Sequence, residues 1–329
     1  MRPSLLRLAV PFLLVPSLLA QQPGERLPPV ALERPTQTEA RSFDEFSGRV
    51  VLLEFFAHWC QPCAMSVKHL NELEASYGTQ GFSVVGVTMD KPEDAEPWIA
   101  KTKAGYAYGY DTGGKLHEHF DIQKTGIPFS VLVDPFGTIL WSGHPMSLKD
   151  GQIERALEGV FATPIWGWPS ATRALAQPLA RGDLGAARAL ADTLGADADV
   201  ARARVAERVT AMGAHFERLC AREDYAEAFA WAARVVKECE GLPLAATVAA
   251  REAELRADPE VLRTVALGVR LAELEGRAAK IKDMAQGDAL RAEVERLVAD
   301  CQGRKLERKA KKLLDSIDRA REQRSKKKP

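Results

Sequence analysis

The sequence predicts two structural classes in one chain, an α/β domain followed by an all-α domain, and three observations predict it. Strand-like apolar runs occur at 50–56, 81–90 and 129–142 and are confined to the first half. At residue 60 an unbroken apolar run gives way to apolar residues spaced three and four apart, the change from strand to helix. Beyond residue 170 strand-like runs vanish and composition shifts to Ala, Arg, Glu and Leu. A chain of 329 residues is also too long for one ordinary hydrophobic core.

Composition bounds the function. Hydrophobic residues make up 46% and charged residues 27%, the balance of a globular protein, and a formal net charge of zero argues against nucleic acid as a partner of the whole chain. The charge is unevenly placed. Residues 304–329 hold 12 Lys/Arg against 4 Asp/Glu, which reads as a basic C-terminal helix and tail.

Residues 1–20 read as a secretory signal peptide. Arg2 and Arg7 accompany an apolar run from Leu8 to Leu19, and Ala20 precedes the polar QQPGER. Twelve apolar residues would span only ~18 Å as helix against a ~30 Å hydrocarbon core, and Pro11 and Pro16 interrupt them. The expected location is therefore outside the cytoplasm, in a bacterial periplasm or an equivalent space, where disulfides persist. Residues 21–26 form an irregular start to the mature chain.

Five cysteines are present, Cys60, Cys63, Cys220, Cys239 and Cys301, so at least one is unpaired within a monomer. A zinc site normally needs a second close pair or histidines at ligand spacing, and there is no second CxxC. No metal and no cofactor is expected. Val50 to Phe56 is apolar except for Glu54, as in a central strand covered on both faces. From Cys60 onward Cys63, Val67, Leu70 and Leu73 recur at helical spacing. Cys60 thus falls where strand becomes helix, beside unpaired backbone N–H groups and the positive end of the helix dipole, both of which favour thiolate. Pro62 suits the first helical turn, where no donor is needed.

The stretch Trp59-Cys60-Gln61-Pro62-Cys63 resembles the WCxxC centre of the thioredoxin superfamily. The resemblance extends to the exported TlpA/ResA-type branch through GFSVVGVTMD (81–90), the insert at 95–122, TGIPFSVLVDPFGTILWSG (125–143) and a final helix at 150–161. It covers residues 27–163 and implies a central mixed sheet flanked by helices. It also implies thiol–disulfide exchange, with Cys60 attacking a partner disulfide and Cys63 resolving the mixed disulfide. Ile127-Pro128 aligns with the family's cis-proline, and Trp59, Ile127 and Pro128 are the expected substrate-binding residues. Glu54, six residues before Cys60, takes the place of a buried acidic residue that accepts the Cys63 proton. The TlpA/ResA branch commonly carries a neutral residue there, and a competing reading has Glu54 merely paired with Lys101 or Lys103. Implied partners are protein thiol or disulfide clients and an upstream electron donor or acceptor, with reduction preferred to oxidation. His58 reads as an exposed, incidental residue, and His117 and His119 as surface residues. Trp98, Tyr106, Tyr108 and Tyr110 read as the insert's own small core.

Residues 164–170, PIWGWPS, read as a linker, 171–303 as a helical domain and 304–329 as the basic helix and tail. Val205, Val209, Met212, Phe216 and Leu219 share one helical stripe, and Tyr225, Ala228, Phe229, Ala232, Val235, Val236 and Cys239 another. REDYAEAFAWAARVVKE (222–238) resembles part of a tetratricopeptide-like hairpin, without a clean 34-residue period. The helical domain is expected to bind protein. Cys220 and Cys239 lie too far apart along successive helices to pair, and Cys301, in a polar turn, is expected to be the exposed thiol. Leu306, Leu313, Leu314 and Ile317 form a partial stripe on a basic helix, which reads as a solvated last helix in preference to a membrane-surface contact. Two rival functions remain at this stage. A peroxidase would need a Thr-x-x-Cys setting, which Ala57-His58-Trp59-Cys60 lacks. The other is a helical interaction protein with a non-catalytic thioredoxin-like module.

Overall fold

The computed structural model describes residues 23–281 and 283–325. The expected signal peptide, residues 21–22 and the final KKKP lie outside the described residues. Six strands form one mixed sheet: β1 (Glu33–Thr36), β2 (Val50–Phe55), β3 (Phe82–Thr88), β4 (Ala107–Tyr110), β5 (Phe129–Val133) and β6 (Ile139–Gly143), in the order β1-β4-β3-β2-β5-β6. The central β2, β3 and β4 run parallel, while β5 is antiparallel to β2 and β6 to β5. Every residue of β2 and β3 is buried, which is why the sequence shows continuous apolar runs there and no alternation.

Alternation survives in the choice of face. Val50, Leu52 and Phe56 pack with α1 (Gln61–Tyr77), α2 (Pro92–Thr102) and α5 (Asp150–Ala156). Val51, Leu53 and Phe55 pack on the other face with α3 (Lys115–His119) and α4 (Ile122–Thr125). Tyr106, Tyr108 and Tyr110 are buried in the same cluster as the cysteines, and Trp98 stacks on Phe56 with centroids 4.9 Å apart. They belong to the main core and not to a separate one, because β4 is an integral strand beside β3.

The second half is helical: α6 (Ala176–Arg181), α7 (Leu184–Asp192), α8 (Ala198–Ala221), α9 (Tyr225–Glu238), α10 (Pro243–Ala257), α11 (Pro259–Ala278), α12 (Met284–Asp300) and α13 (Leu306–Ser325). From α6 on each helix packs on the next, and α8 also meets α10 and α9 meets α11, as in stacked hairpins. Val205, Met212, Phe216 and Leu219 are buried as the stripe requires, but Val236 is exposed. The basic α13 is not a solvated helix: Leu306, Ala310, Leu313 and Ile317 are buried in a cluster with residues of α11 and α12. That contact uses up the apolar stripe, so α13 offers no apolar face to a membrane. None of the helices among the described residues is long and apolar enough to cross a membrane.

The segment 164–170 is packed, with Ile165 and Trp168 buried in the helical core. The same core takes in Phe136 from the β5–β6 turn and Phe161. Gly48 adopts φ +87°, and a Cβ there would lie 2.0 Å from the Phe161 ring, so only glycine fits. Arg208 of α8 is buried, donates to the Pro135 carbonyl at 2.7 Å and lies over the rings of Phe136 and Phe161 at 5.1 and 4.4 Å. Arg234 of α9 donates to Thr138 Oγ1 at 2.6 Å and pairs with Glu238, which also holds Arg26 at 2.5 Å. Phe55 is opposite Phe129 and Val51 opposite Val133, which puts the β5–β6 turn at the end of the sheet away from residue 60. The helical region therefore docks on the pole opposite the CxxC.

Arg208→Ala should lower stability by roughly 3 kcal/mol, through a cavity and an orphaned Pro135 carbonyl. Urea denaturation followed by tryptophan fluorescence checks this, and the transition should stay single because the two halves share a core.

Candidate functional site

Cys60 and Cys63 form a disulfide with Cα atoms 5.3 Å apart. After β2 the chain makes a tight turn in which the Cys60 amide donates to the Ala57 carbonyl at 3.0 Å, and α1 begins at Gln61. Cys60 is the N-cap, with extended φ and ψ of −81° and 98°, and its Sγ accepts the Cys63 amide at 3.1 Å. Sulfur thus stands where a serine or aspartate oxygen usually caps a helix. The first turn of α1 carries no acidic residue, so nothing there competes with sulfur for the positive end of the dipole. Both cysteines are buried.

Glu54 shares its strand face with Leu52 and Phe56, the face on which both cysteines pack. It is 1% exposed, and its cross-strand neighbour Ser130 donates its hydroxyl to Oε2. Oε1 is buried without a hydrogen-bond partner among the described residues. Desolvation pushes the carboxyl up to about 8 from an ordinary value of 4.5, against the opposing pull of the Ser130 hydrogen bond. The pairing with Lys101 or Lys103 does not occur, because both lysines are exposed on or beside α2 while Glu54 faces the interior.

Ile127-Pro128 is a cis peptide, Pro128 is buried, and Ile127 packs against the cluster that holds the cysteines. A groove of about 910 Å³ lies alongside, lined by Trp59, Met89, Asp90, His117, Ile127 and others. Trp59 is 70% exposed, and Met65, Met89 and Met146 are also exposed. Trp59, Met89 and Met146 follow the ends of β2, β3 and β6 that lie at the CxxC pole, and Met65 lies in the second turn of α1, which starts there. The sequence reading missed this apolar collar, since a lone methionine carries no periodic signal.

The histidines differ from expectation. His58 is exposed yet not incidental: its ring Nδ1 is 3.1 Å from Asp90, and its amide donates to the same carboxylate at 2.6 Å. His117 and His119 are half-buried rather than on the surface. His117 Nδ1 lies 2.9 Å from the buried Asp111, while the His119 ring meets Phe120 edge-on. Cys220, Cys239 and Cys301 are free. Cys301 is buried, not exposed, because it caps α12 from inside the α11–α13 cluster. Burial raises all three thiols, Cys239 to about 11, which leaves Cys60 and Cys63 as the redox-competent pair on chemical grounds.

Fold and site together define a thioredoxin-like redox domain built round a CxxC disulfide. The AhpC/TSA family model matches residues 23–142. The thiol:disulfide interchange protein HelX of Rhodobacter capsulatus is 31% identical over 131 residues, 38% of this chain and 68% of that protein. CycY of Rhizobium leguminosarum bv. viciae, also a thiol:disulfide interchange protein, is 31% identical over 157 residues, 46% of this chain and 80% of its own length. The chain belongs to this thioredoxin-like family of thiol–disulfide oxidoreductases. It spans 62% of the length of the thiol-disulfide oxidoreductase ResA of Bacillus thuringiensis subsp. konkukian, at 24% identity.

Glu54 binds its proton more tightly in the folded state than unfolded, since its carboxyl is raised from 4.5 to about 8. Its contribution is therefore fully present below about pH 4.5 and is lost as pH rises toward about 8. Glu54→Gln should abolish that loss. Denaturant midpoints taken across this window should fall for the parent and stay flatter for the variant.

Proposed function

We propose that the protein is an exported thiol–disulfide oxidoreductase that exchanges the Cys60–Cys63 pair with protein clients and works as a reductant. The observation that carries the reading is the placement of Cys60 Sγ at the helix N-cap, hydrogen-bonded by the Cys63 amide, with a protonatable Glu54 buried on the same face. In the reduced protein the Cys60 thiolate attacks one sulfur of a client disulfide. The client S–S bond breaks, its second sulfur leaves as thiolate, and a Cys60–client bond forms. Glu54 takes the Cys63 proton as Cys63 attacks Cys60 Sγ, which restores the intramolecular disulfide and releases the reduced client. Ile127, Pro128 and Trp59 hold the client segment across the groove.

Reduction is favoured because the thiolate has modest support. Among the residues lining the groove there is no Lys or Arg, and Asp90, Glu118 and Asp121 are present. A strong oxidant requires the reverse, a heavily stabilised reduced form. Export rests on the sequence pattern from Arg2 to Ala20.

The helical region is proposed as a second protein-binding surface. At its junction with α13 a recess of about 580 Å³ is lined by Arg222, Arg304, Lys305, Arg308, Lys309 and Lys311, with Asp224 and Glu307 the acidic residues there. Its position supports a partner that engages the chain without covering the disulfide.

Cys63→Ser, reduced and mixed with a disulfide-bonded protein such as insulin, should accumulate a mixed disulfide visible on a non-reducing gel. Cys60→Ser should accumulate none. Equal trapping by both variants, or no insulin reduction by the parent with dithiothreitol as donor, would contradict the proposal and favour the non-catalytic binding module.

A further inference from the structure

Asp111 follows β4 and is buried, and one of its oxygens, Oδ2, accepts three hydrogen bonds. The Leu116 and His117 amides donate at 3.0 Å each, and His117 Nδ1 lies at 2.9 Å. Two of the three come from one residue, so the carboxylate fixes both the first turn of α3 and the orientation of the imidazole. A carboxylate can only accept, so Nδ1 carries the hydrogen and the tautomer is set. The ring is held on a further side by Phe55, edge-on at 5.1 Å, and its side chain is 14% exposed. Nε2 has no hydrogen bond among the described residues, and His117 lines the groove that also holds Trp59 and Ile127.

We infer that His117 is a client-binding residue: Asp111 locks its ring so that Nε2 is presented to the groove as a fixed hydrogen-bonding atom for the backbone of an extended polypeptide crossing to the disulfide. The inference rests on the proposed oxidoreductase function. Among the described residues that line the groove, His117 is the one basic side chain, beside Asp90, Glu118 and Asp121. Its ring is rigid before the client arrives, so little ordering cost is left for binding. A small disulfide that does not extend along the groove gains nothing from it.

Two substitutions separate the two nitrogens. His117→Asn keeps a donor near the Nδ1 position, and hence the bond to Asp111, but removes the groove atom. His117→Gln keeps a polar atom near the Nε2 position. Steady-state reduction of insulin and of hydroxyethyl disulfide is compared, with thermal unfolding as a check on folding. Expected is a KM for insulin raised roughly five- to tenfold in the Asn variant, with kcat and hydroxyethyl disulfide turnover unchanged, and with substantial recovery in the Gln variant. An unchanged KM, an equal loss on both substrates, or a Gln variant no better than Asn would overturn the inference. A parent protein that reduces neither substrate would instead remove the oxidoreductase reading on which it rests.

Discussion

The hydrogen bond from the Cys63 amide to Cys60 Sγ is the contact on which the site depends. It exists because a fully buried strand ends at Phe55 and a helix starts six residues later, with a turn between them too short to do anything but place Cys60 at the cap. The same geometry sets the spacing of the two sulfurs, since one helical turn separates residues 60 and 63. Strand parity then places Glu54 on the cysteine face, and the antiparallel register of β5 places Ser130 against it. Burial raises this carboxyl to about 8, so that when ionised it is a stronger base than an ordinary carboxylate and is suited to take a proton from a thiol.

The helical half is joined to this domain at the other end of the sheet. Arg208 buried between two phenyl rings, with part-buried Arg234 on the β5–β6 turn and part-buried Arg26 on Glu238, makes a charged, hydrogen-bonded contact. Buried arginines of this kind give little net stability against a well-packed apolar alternative, but they are costly to separate once formed. The two halves thus present different faces: an apolar collar and groove at the disulfide, and a basic recess where α8, α9 and α13 meet.

Much of this was legible from the amino-acid order. The strand run at 50–56, the switch to helical spacing at Cys60 and, Val236 apart, the helical stripes of α8 and α9 reappear, because each follows from burial of a periodic set of apolar residues. Three features were hidden for physical reasons. Cys301 and the α13 stripe looked exposed because their covering residues, from α11 and α12, lie far away in sequence. Residues 164–170 looked like a linker because proline and glycine signal turns, whereas Ile165 and Trp168 supply volume to the helical core and half-buried Trp166 packs on the sheet domain. Asp90 and Asp111 gave no signal, since a single aspartate after a strand is read as a turn residue until its acceptors are seen to hold His58 and His117.

The measurement that bears most directly on the central claim is the reduction potential of the Cys60–Cys63 couple, from equilibration of the full chain with glutathione buffers. A value near thioredoxin's, ~−270 mV, is the result expected of a pair whose thiolate is supported by one backbone amide and whose adjacent groove is lined by no Lys or Arg among the described residues. A value near ~−120 mV would identify an oxidant with a strongly stabilised thiolate, and the absence of any reversible couple would contradict a redox role for the pair altogether.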